Sequence, residues 1–246
     1  MQIDQLIGEV DNQGKGEGKY YQGEGKYDSP FFQSKLFSEV TDRYKKLYGN
    51  AVFSVINCAF FEQFKSSSQL SFPVKLNGKV ITGGNSPYGP IRQPKDPRYA
   101  NIRLKALVWD DQKAYIFNYN PATGASLNSK SVQNAIVTYQ YTDHPAKIIG
   151  KNPANKYHVV GTLNKDGIPG DELLLIVTVN QATLDEAANL LRKSGVKGDI
   201  ITIDGGGSTY LYNSQRGNLI LPKSGNQGNN PTYRNLPHYL GFRLKP

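Results

Sequence analysis

Two periods alternate along this 246-residue chain, a helical one near position 40 and a strand-like one over most of the rest. In FFQSKLFSEVTDRYKKLY (31–48), Leu36, Phe37, Val40, Tyr44 and Leu47 recur at helical spacing and Gly49-Asn50 supplies a stop, which predicts an amphipathic helix. AVFSVINCAFF (51–61) is too continuously apolar and β-branched for anything but a buried strand. LKALVWDDQKAYIFNY (104–119) reads as a hairpin turning at Asp110 to Lys113, and LNGK (76–79) as a further turn. HVVGTLNKDGIPGDELLLIVTVN (158–180) reads as a hairpin turning at Lys165-Asp166-Gly167, with an insertion before its second strand. SVQNAIVTYQ (131–140) fits a strand and a short helix equally well.

The clearest unit follows. LLLIVTV (173–179) is a strand, and Thr183-Leu184-Asp185-Glu186 is a capping box. Leu184, Ala187, Ala188 and Leu191 make an apolar stripe, Gly195 ends the helix, and DIITID (199–204) is the next strand. Strand, helix, strand over so short a span predicts a right-handed crossover with its two strands parallel. The crevice of such a unit lies at the carboxyl ends of the strands, where Asp204 stands.

These elements predict an α/β fold with an α+β tendency, a single domain over 31–246 whose mixed sheet core is largely β. GEGKY occurs at 16–20 and again at 23–27, and alternating glycine and charge cannot build a core, so residues 1–30 read as a flexible or hairpin arm. The Ser-, Gly- and Pro-rich stretch 66–105 holds a long irregular segment of the kind that is functional or mobile.

Composition narrows the function. With 38% hydrophobic residues, 11% aromatic and 16 Tyr, the chain is a folded, β-rich protein rather than a disordered one. A net charge of +9 favours anionic partners: phosphorylated small molecules, acidic polysaccharide, nucleic acid or an anionic membrane face. Nucleic acid is not expected, because no recognised nucleic-acid motif accompanies the charge. The single cysteine, Cys58, excludes an intrachain disulfide. No apolar run approaches the roughly 18 residues of a transmembrane helix. Location stays open: secreted or periplasmic if a signal peptide has been removed, otherwise cytoplasmic. No cluster has zinc or calcium spacing, so no metal or cofactor is expected.

Two positions carry candidate chemistry. Asn57 sits inside a buried strand, where an unpaired amide would cost about 1–3 kcal/mol, so it is either a structural peg or a site residue. DGGGS (204–208) surrenders three consecutive side chains. It lacks the spacing of a P-loop or a dinucleotide fingerprint. It is either a tight turn or a ligand platform, in which Gly205, Gly206 and Gly207 bring backbone N–H groups to anionic oxygens beside Asp204 and Ser208.

DIITIDGGGSTYLY, preceded by TLDEAANLLRKSG and LLLIVTVN, resembles the C-terminal signature of the phosphodiester glycosidase family. VINCAFF (55–61) resembles that family's Ile-Asn-Gly-Gly-Phe-Phe strand, with Cys58 and Ala59 for the glycines, and YRNLPHYLGF (233–242) resembles its closing motif. The three motifs in order span roughly residues 50–244. The chain departs from the pattern at Tyr157-His158, where members commonly carry Arg-Thr.

The resemblance implies a hydrolase that cleaves between a sugar anomeric carbon and a phosphodiester or phosphate oxygen. A departing phosphate is a stable anion, so one carboxylate and a set of phosphate donors suffice where ordinary glycosidases need two carboxylates. Asp204 is then the base or nucleophile, with Glu62 as a second carboxylate and His158 as acid or phosphate donor. Arg234 is the phosphate clamp, and Asn57, Ser208 and Thr209 orient sugar hydroxyls or phosphate. The alternative is a sugar-phosphate-binding module on the same fold, altered in catalysis at Tyr157-His158. Cys58 lacks a paired base and is not expected to be a nucleophile. Asn57, Asp204, Ser208 and Arg234 should converge on one cleft.

Overall fold

A computed structural model describes residues 1–14, 29–62, 66–84, 102–120, 123–148, 150–165, 167, 173–220 and 234–245. Both GEGKY copies, most of the irregular segment after residue 84, and Asp166 of the expected turn lie outside them. The elements run β1 (Gln2–Ile7), β2 (Val10–Asp11), β3 (Phe31–Gln33), α1 (Phe37–Tyr48), β4 (Val52–Asn57), β5 (Ser67–Ser68), β6 (Val74–Leu76), β7 (Lys79–Thr82) and β8 (Leu104–Trp109). They continue with β9 (Ala114–Asn118), α2 (Ala125–Asn128), β10 (Asn134–Gln140), α3 (Pro145–Ile148), β11 (Asn155–Leu163), β12 (Leu173–Ala182) and α4 (Leu184–Lys193). β13 (Ile200–Ile203), β14 (Leu211–Asn213), β15 (Gly217–Ile220) and β16 (His238–Arg243) complete the order. Strand outweighs helix, as the α+β reading expects. The chain forms two compact units, residues 1–71 with 204–246, and residues 72–203.

The first unit is built on an antiparallel sheet of order β1-β16-β4-β14-β15, with a small β2-β3-β5 sheet beside it. The opening residues, assigned to an arm by their neighbours' composition, thus include an edge strand. Asp4 fixes it, accepting from Tyr44 Oη and from Arg243 Nε, each at 2.7 Å. α1 covers one face of the sheet, burying Phe37 and Tyr44 with Val52, Val55, Tyr210, Leu236 and Tyr239. Glu39 in its first turn and Lys45 and Lys46 in its last suit the helix dipole. Its close approach depends on Gly241, where a Cβ would lie 2.6 Å from Tyr44 Cε1.

In the second unit, 131–140 resolves as the strand β10, flanked by β8 on one side and by β13 and β6 on the other. The path runs β12-β11-β13-β10-β6-β7, and every adjacent pair is antiparallel. β12 and β13 both run opposite to β11 and therefore parallel to each other, as the strand–helix–strand spacing predicts. They are not neighbours, because β11 lies between them. The capping box forms, with Glu186 N–H donating to Thr183 Oγ1 at 3.1 Å and Thr183 N–H to Glu186 Oε2 at 2.7 Å. At the other end Gly195 (φ +100°) closes a Schellman turn, its N–H donating to the Arg192 carbonyl and the Val196 N–H to that of Leu191. The predicted stripe Leu184, Ala187, Ala188 and Leu191 is buried against Tyr157, Val159 and Ile200.

Candidate functional site

The site is built where β4 ends in the first unit. Asn57 is fully buried, and its amide grips the glycine loop at both ends. Nδ2 donates to the Asp204 carbonyl at 2.6 Å, and Oδ1 accepts from the Tyr210 N–H at 2.8 Å. One side chain therefore sets the distance between the two ends of the 204–210 loop. The next carbonyl along, that of Cys58, accepts the Asp204 N–H at 2.8 Å.

Between those clamps the chain makes a tight turn at Gly206–Ser208. Gly206 has φ +60°, a conformation that favours glycine. The Gly206 carbonyl accepts from Thr209 N at 3.3 Å and Thr209 Oγ1 at 3.0 Å, so Thr209 closes the turn on itself. The Gly206 and Gly207 N–H groups have no acceptor among the described residues, the condition a nest for anionic oxygens requires. Gly207 is exposed, and its missing side chain makes room for Arg234. A Cβ there would lie 2.8 Å from Arg234 Nη1 and 2.9 Å from Cζ. The Arg234 carbonyl accepts from Tyr210 Oη at 2.7 Å, and the Tyr210 ring stacks on Phe37 at 4.7 Å. Arginine and glycine turn are thus held to one aromatic core.

Asp204 Oδ1 accepts from the Gly205 N–H at 3.0 Å. Oδ2 is shielded from solvent and has no partner among the described residues. Burial pushes this carboxyl up to about 7, while Ser208, the Gly205 amide and the Arg234 charge pull the other way. Such a value suits a proton acceptor working near neutrality. Burial, and secondarily Asp204, pushes the Cys58 thiol well above its ordinary value, and Cys58 is fully buried. That is the environment of an inert thiol.

Four of the expected residues, Asn57, Asp204, Ser208 and Arg234, therefore meet at one loop. Glu62 belongs to the same unit and is likewise pushed up to about 7 by burial, against a bond from Ser71. No described hydrogen bond or ion pair joins it to the loop. His158 lies in the second unit on β11, fully buried, with Nδ1 2.8 Å from Thr178 Oγ1. Its neighbour Tyr157 packs in the α4 core and donates to the Pro153 carbonyl at 3.0 Å.

Sequence reasoning passed over His238, in the same closing motif as Arg234. It is buried, and neither ring nitrogen has a partner among the described residues. Only burial together with that unpaired state marks it, and neither is written in Pro-His-Tyr. A cavity of about 440 Å³ between α1 and β1, walled by Leu6, Val40, Arg43 and Leu47 among others, includes none of the expected site residues. No three His, Cys, Asp or Glu among the described residues are grouped to hold a metal ion. No described helix is long and apolar enough to cross a membrane.

No family model matches the sequence, and no curated protein matches it. The fold is similar to a solved structure, zebrafish N-acetylglucosamine-1-phosphodiester alpha-N-acetylglucosaminidase, catalytic domain auto-inhibited by pro-peptide. The TM-score is 0.56 at 12% identity, covering 100% of this chain and 89% of that one. At that identity the likeness is one of fold.

Proposed function

We propose that this chain hydrolyses the bond between a sugar anomeric carbon and a phosphodiester or phosphate oxygen, as a glycosidase of sugar 1-phosphodiesters. The observation that carries the reading is the Arg234 guanidinium lying against Gly207, three residues along from a carboxylate whose Oδ2 is shielded and unpartnered. A cation for the leaving phosphate and an acceptor for a proton are the two groups this reaction needs.

In this mechanism a water oxygen bonds to the anomeric carbon as the carbon–oxygen bond to phosphate breaks. The water proton passes to Asp204 Oδ2, and the bonding pair departs with the phosphate. That anion is stable in water, with a second pKa of about 6, so no strong acid is required. Arg234 and the Gly206 and Gly207 amides receive it. Asn57 and Thr209 act by fixing the loop, Ser208 by its bond to the carboxylate, and Glu62 is the second carboxylate. The fold shared with the zebrafish glycosidase supports the reading at the level of architecture.

Asp204→Asn keeps the shape of the side chain and removes the charge. Turnover of chromogenic or UDP-linked sugar phosphodiesters should fall about 10²-fold or more, with the thermal midpoint held or raised. Unchanged turnover removes Asp204, and with it the mechanism. Tight sugar-phosphate binding by an unmodified protein that never turns over favours the second reading, a binding module. That reading draws on Tyr157 and His158, both engaged in bonds within the second unit where the family carries Arg-Thr.

A further inference from the structure

His238 is 1% exposed, and both of its ring nitrogens are shielded and without a hydrogen-bond partner among the described residues. A neutral imidazole carries one donor and one acceptor. Burying such groups unpaired costs about 1–3 kcal/mol each, so an apolar ring would make the better core residue. Nearly all buried polar groups in native proteins are paired, and an exception calls for a reason other than stability.

The ladder supplies one. Tyr239 pairs with Asn57 and Leu240 with Ile56, so His238 stands opposite Cys58. The Cys58 N–H donates to the His238 carbonyl at 3.2 Å, and the Cys58 carbonyl accepts the Asp204 N–H at 2.8 Å. Three adjacent backbones thus carry His238, Cys58 and Asp204 side by side. Opposed residues of neighbouring strands project to one face, and successive residues alternate. Tyr239 and Val55 pack in the α1 cluster, which puts His238 and Cys58 on the other face. The Asp204 backbone bonds directly to that of Cys58, and the Asp204 charge adds to burial in raising the Cys58 thiol. At a strand spacing of about 4.8 Å, the His238 and Asp204 backbones are about 10 Å apart, the scale of one sugar ring with its substituents.

We propose that His238 is a ligand-binding residue of the Asp204 site, its imidazole bonding sugar hydroxyls while Arg234 takes the phosphate. This assignment rests on the sugar-phosphate reading above and specifies how the sugar is recognised. Burial holds the ring neutral, its pKa pushed down to about 3. A neutral imidazole both donates and accepts, as a hydroxyl does, whereas an anion calls for the permanent cation that Arg234 provides.

His238→Phe keeps the ring and removes both nitrogens. Calorimetric titration with N-acetylglucosamine 1-phosphate should show affinity reduced about tenfold, one hydrogen bond's worth, with inorganic phosphate bound as before. The thermal midpoint should hold or rise, and His238→Gln should recover part of the affinity. Undiminished sugar-phosphate binding by the Phe variant overturns the role of His238 and leaves the proposed function standing. A lowered midpoint with equal losses for both ligands makes His238 a structural residue and also overturns it. Failure of the unmodified protein to bind the sugar phosphate overturns both readings together. Should the Phe variant not fold, ¹³C-histidine NMR of the unmodified protein decides. The His238 Cε1 resonance must move with the sugar phosphate and not with inorganic phosphate, and an unmoved resonance overturns the proposal.

Discussion

The guanidinium of Arg234 stands where a side chain on Gly207 would have to go, with Nη1, Cζ and Nη2 at 2.8, 2.9 and 3.0 Å from the position of its Cβ. Gly207 itself needs no unusual backbone, since its φ is not positive. Gly207→Ala is therefore a displacement of the arginine rather than a break in the turn. Affinity for inorganic phosphate should fall about tenfold or more as the two-pronged contact is lost, with stability changed by about 1 kcal/mol at most. Phosphate titration and a melting curve on one preparation check this. An unaltered phosphate affinity would separate Arg234 from the ligand.

Asn57 makes a different demand on the same loop. Its amide bonds the Asp204 carbonyl at 2.6 Å and the Tyr210 N–H at 2.8 Å. Asn57→Leu retains the volume and leaves both backbone groups unpaired, at about 1–3 kcal/mol each. Denaturant unfolding should show a total loss of about 2–6 kcal/mol. A loss well below 1 kcal/mol would mean that the loop holds its shape without the peg.

How far these features were legible depended on the reach of the interaction. The capping box of Thr183 and Glu186 spans three residues and is written in the sequence. Whether Asn57 is peg or site residue was not, because its partners lie 147 and 153 positions away. The relative direction of β12 and β13 follows from the helix between them, but nothing in that spacing shows that β11 is inserted. The edge strand β1 is fixed through Asp4 to Arg243, 239 positions on, while its neighbours in sequence are glycine-rich. The crossings between units fall at 71/72, within the Ser- and Pro-bearing SSSQLSFP, and at 203/204, where an apolar strand runs into DGGGS, and both stretches read equally well as turns inside one domain.

The second unit contains a buried lysine that faces one carboxylate, with Asn118 Oδ1 accepting a further bond from its Nζ at 2.5 Å. Lys105 is 5% exposed, and its Nζ donates to Asp199 Oδ2 at 2.8 Å. Asp199→Asn leaves the ammonium buried without its counter-charge. The expected loss is about 2 kcal/mol, below the 3–5 of a fully buried pair because Asp199 reaches solvent. Lys105→Met removes the charge together with its need for a partner and should be the milder change. Equal losses for both variants in urea would show that packing, not charge, is what Lys105 supplies.

Asp204 ties stability to activity through one proton. Its carboxyl is raised from an ordinary 3.8 to about 7, and that of Glu62 from 4.5 to about 7, both chiefly by burial. Between those values the folded chain holds protons that the unfolded chain has released, so stability falls as pH rises toward 7. His144 and His238 act in the opposite sense, their rings lowered from 6.5 to about 4 and about 3 by burial. The unfolded chain then takes up protons first, and their stability is lost as pH falls below 6.5. The two windows overlap, so the pH curve of the unmodified protein mixes them. Asp204→Asn separates them, because an amide stays neutral at every pH. The stability of that variant relative to the unmodified protein should rise as pH goes from about 4 to about 7 and level off above. The proposed reaction needs the ionised carboxylate, so activity of the unmodified protein should rise through the same interval in which its Asp204 contribution to stability is lost. Unfolding curves for both proteins across this range, with turnover measured alongside, test the coupling. A stability gap that does not change with pH would mean that the carboxyl titrates alike in the folded and unfolded chain, which would end the case for Asp204 as a proton acceptor tuned by burial.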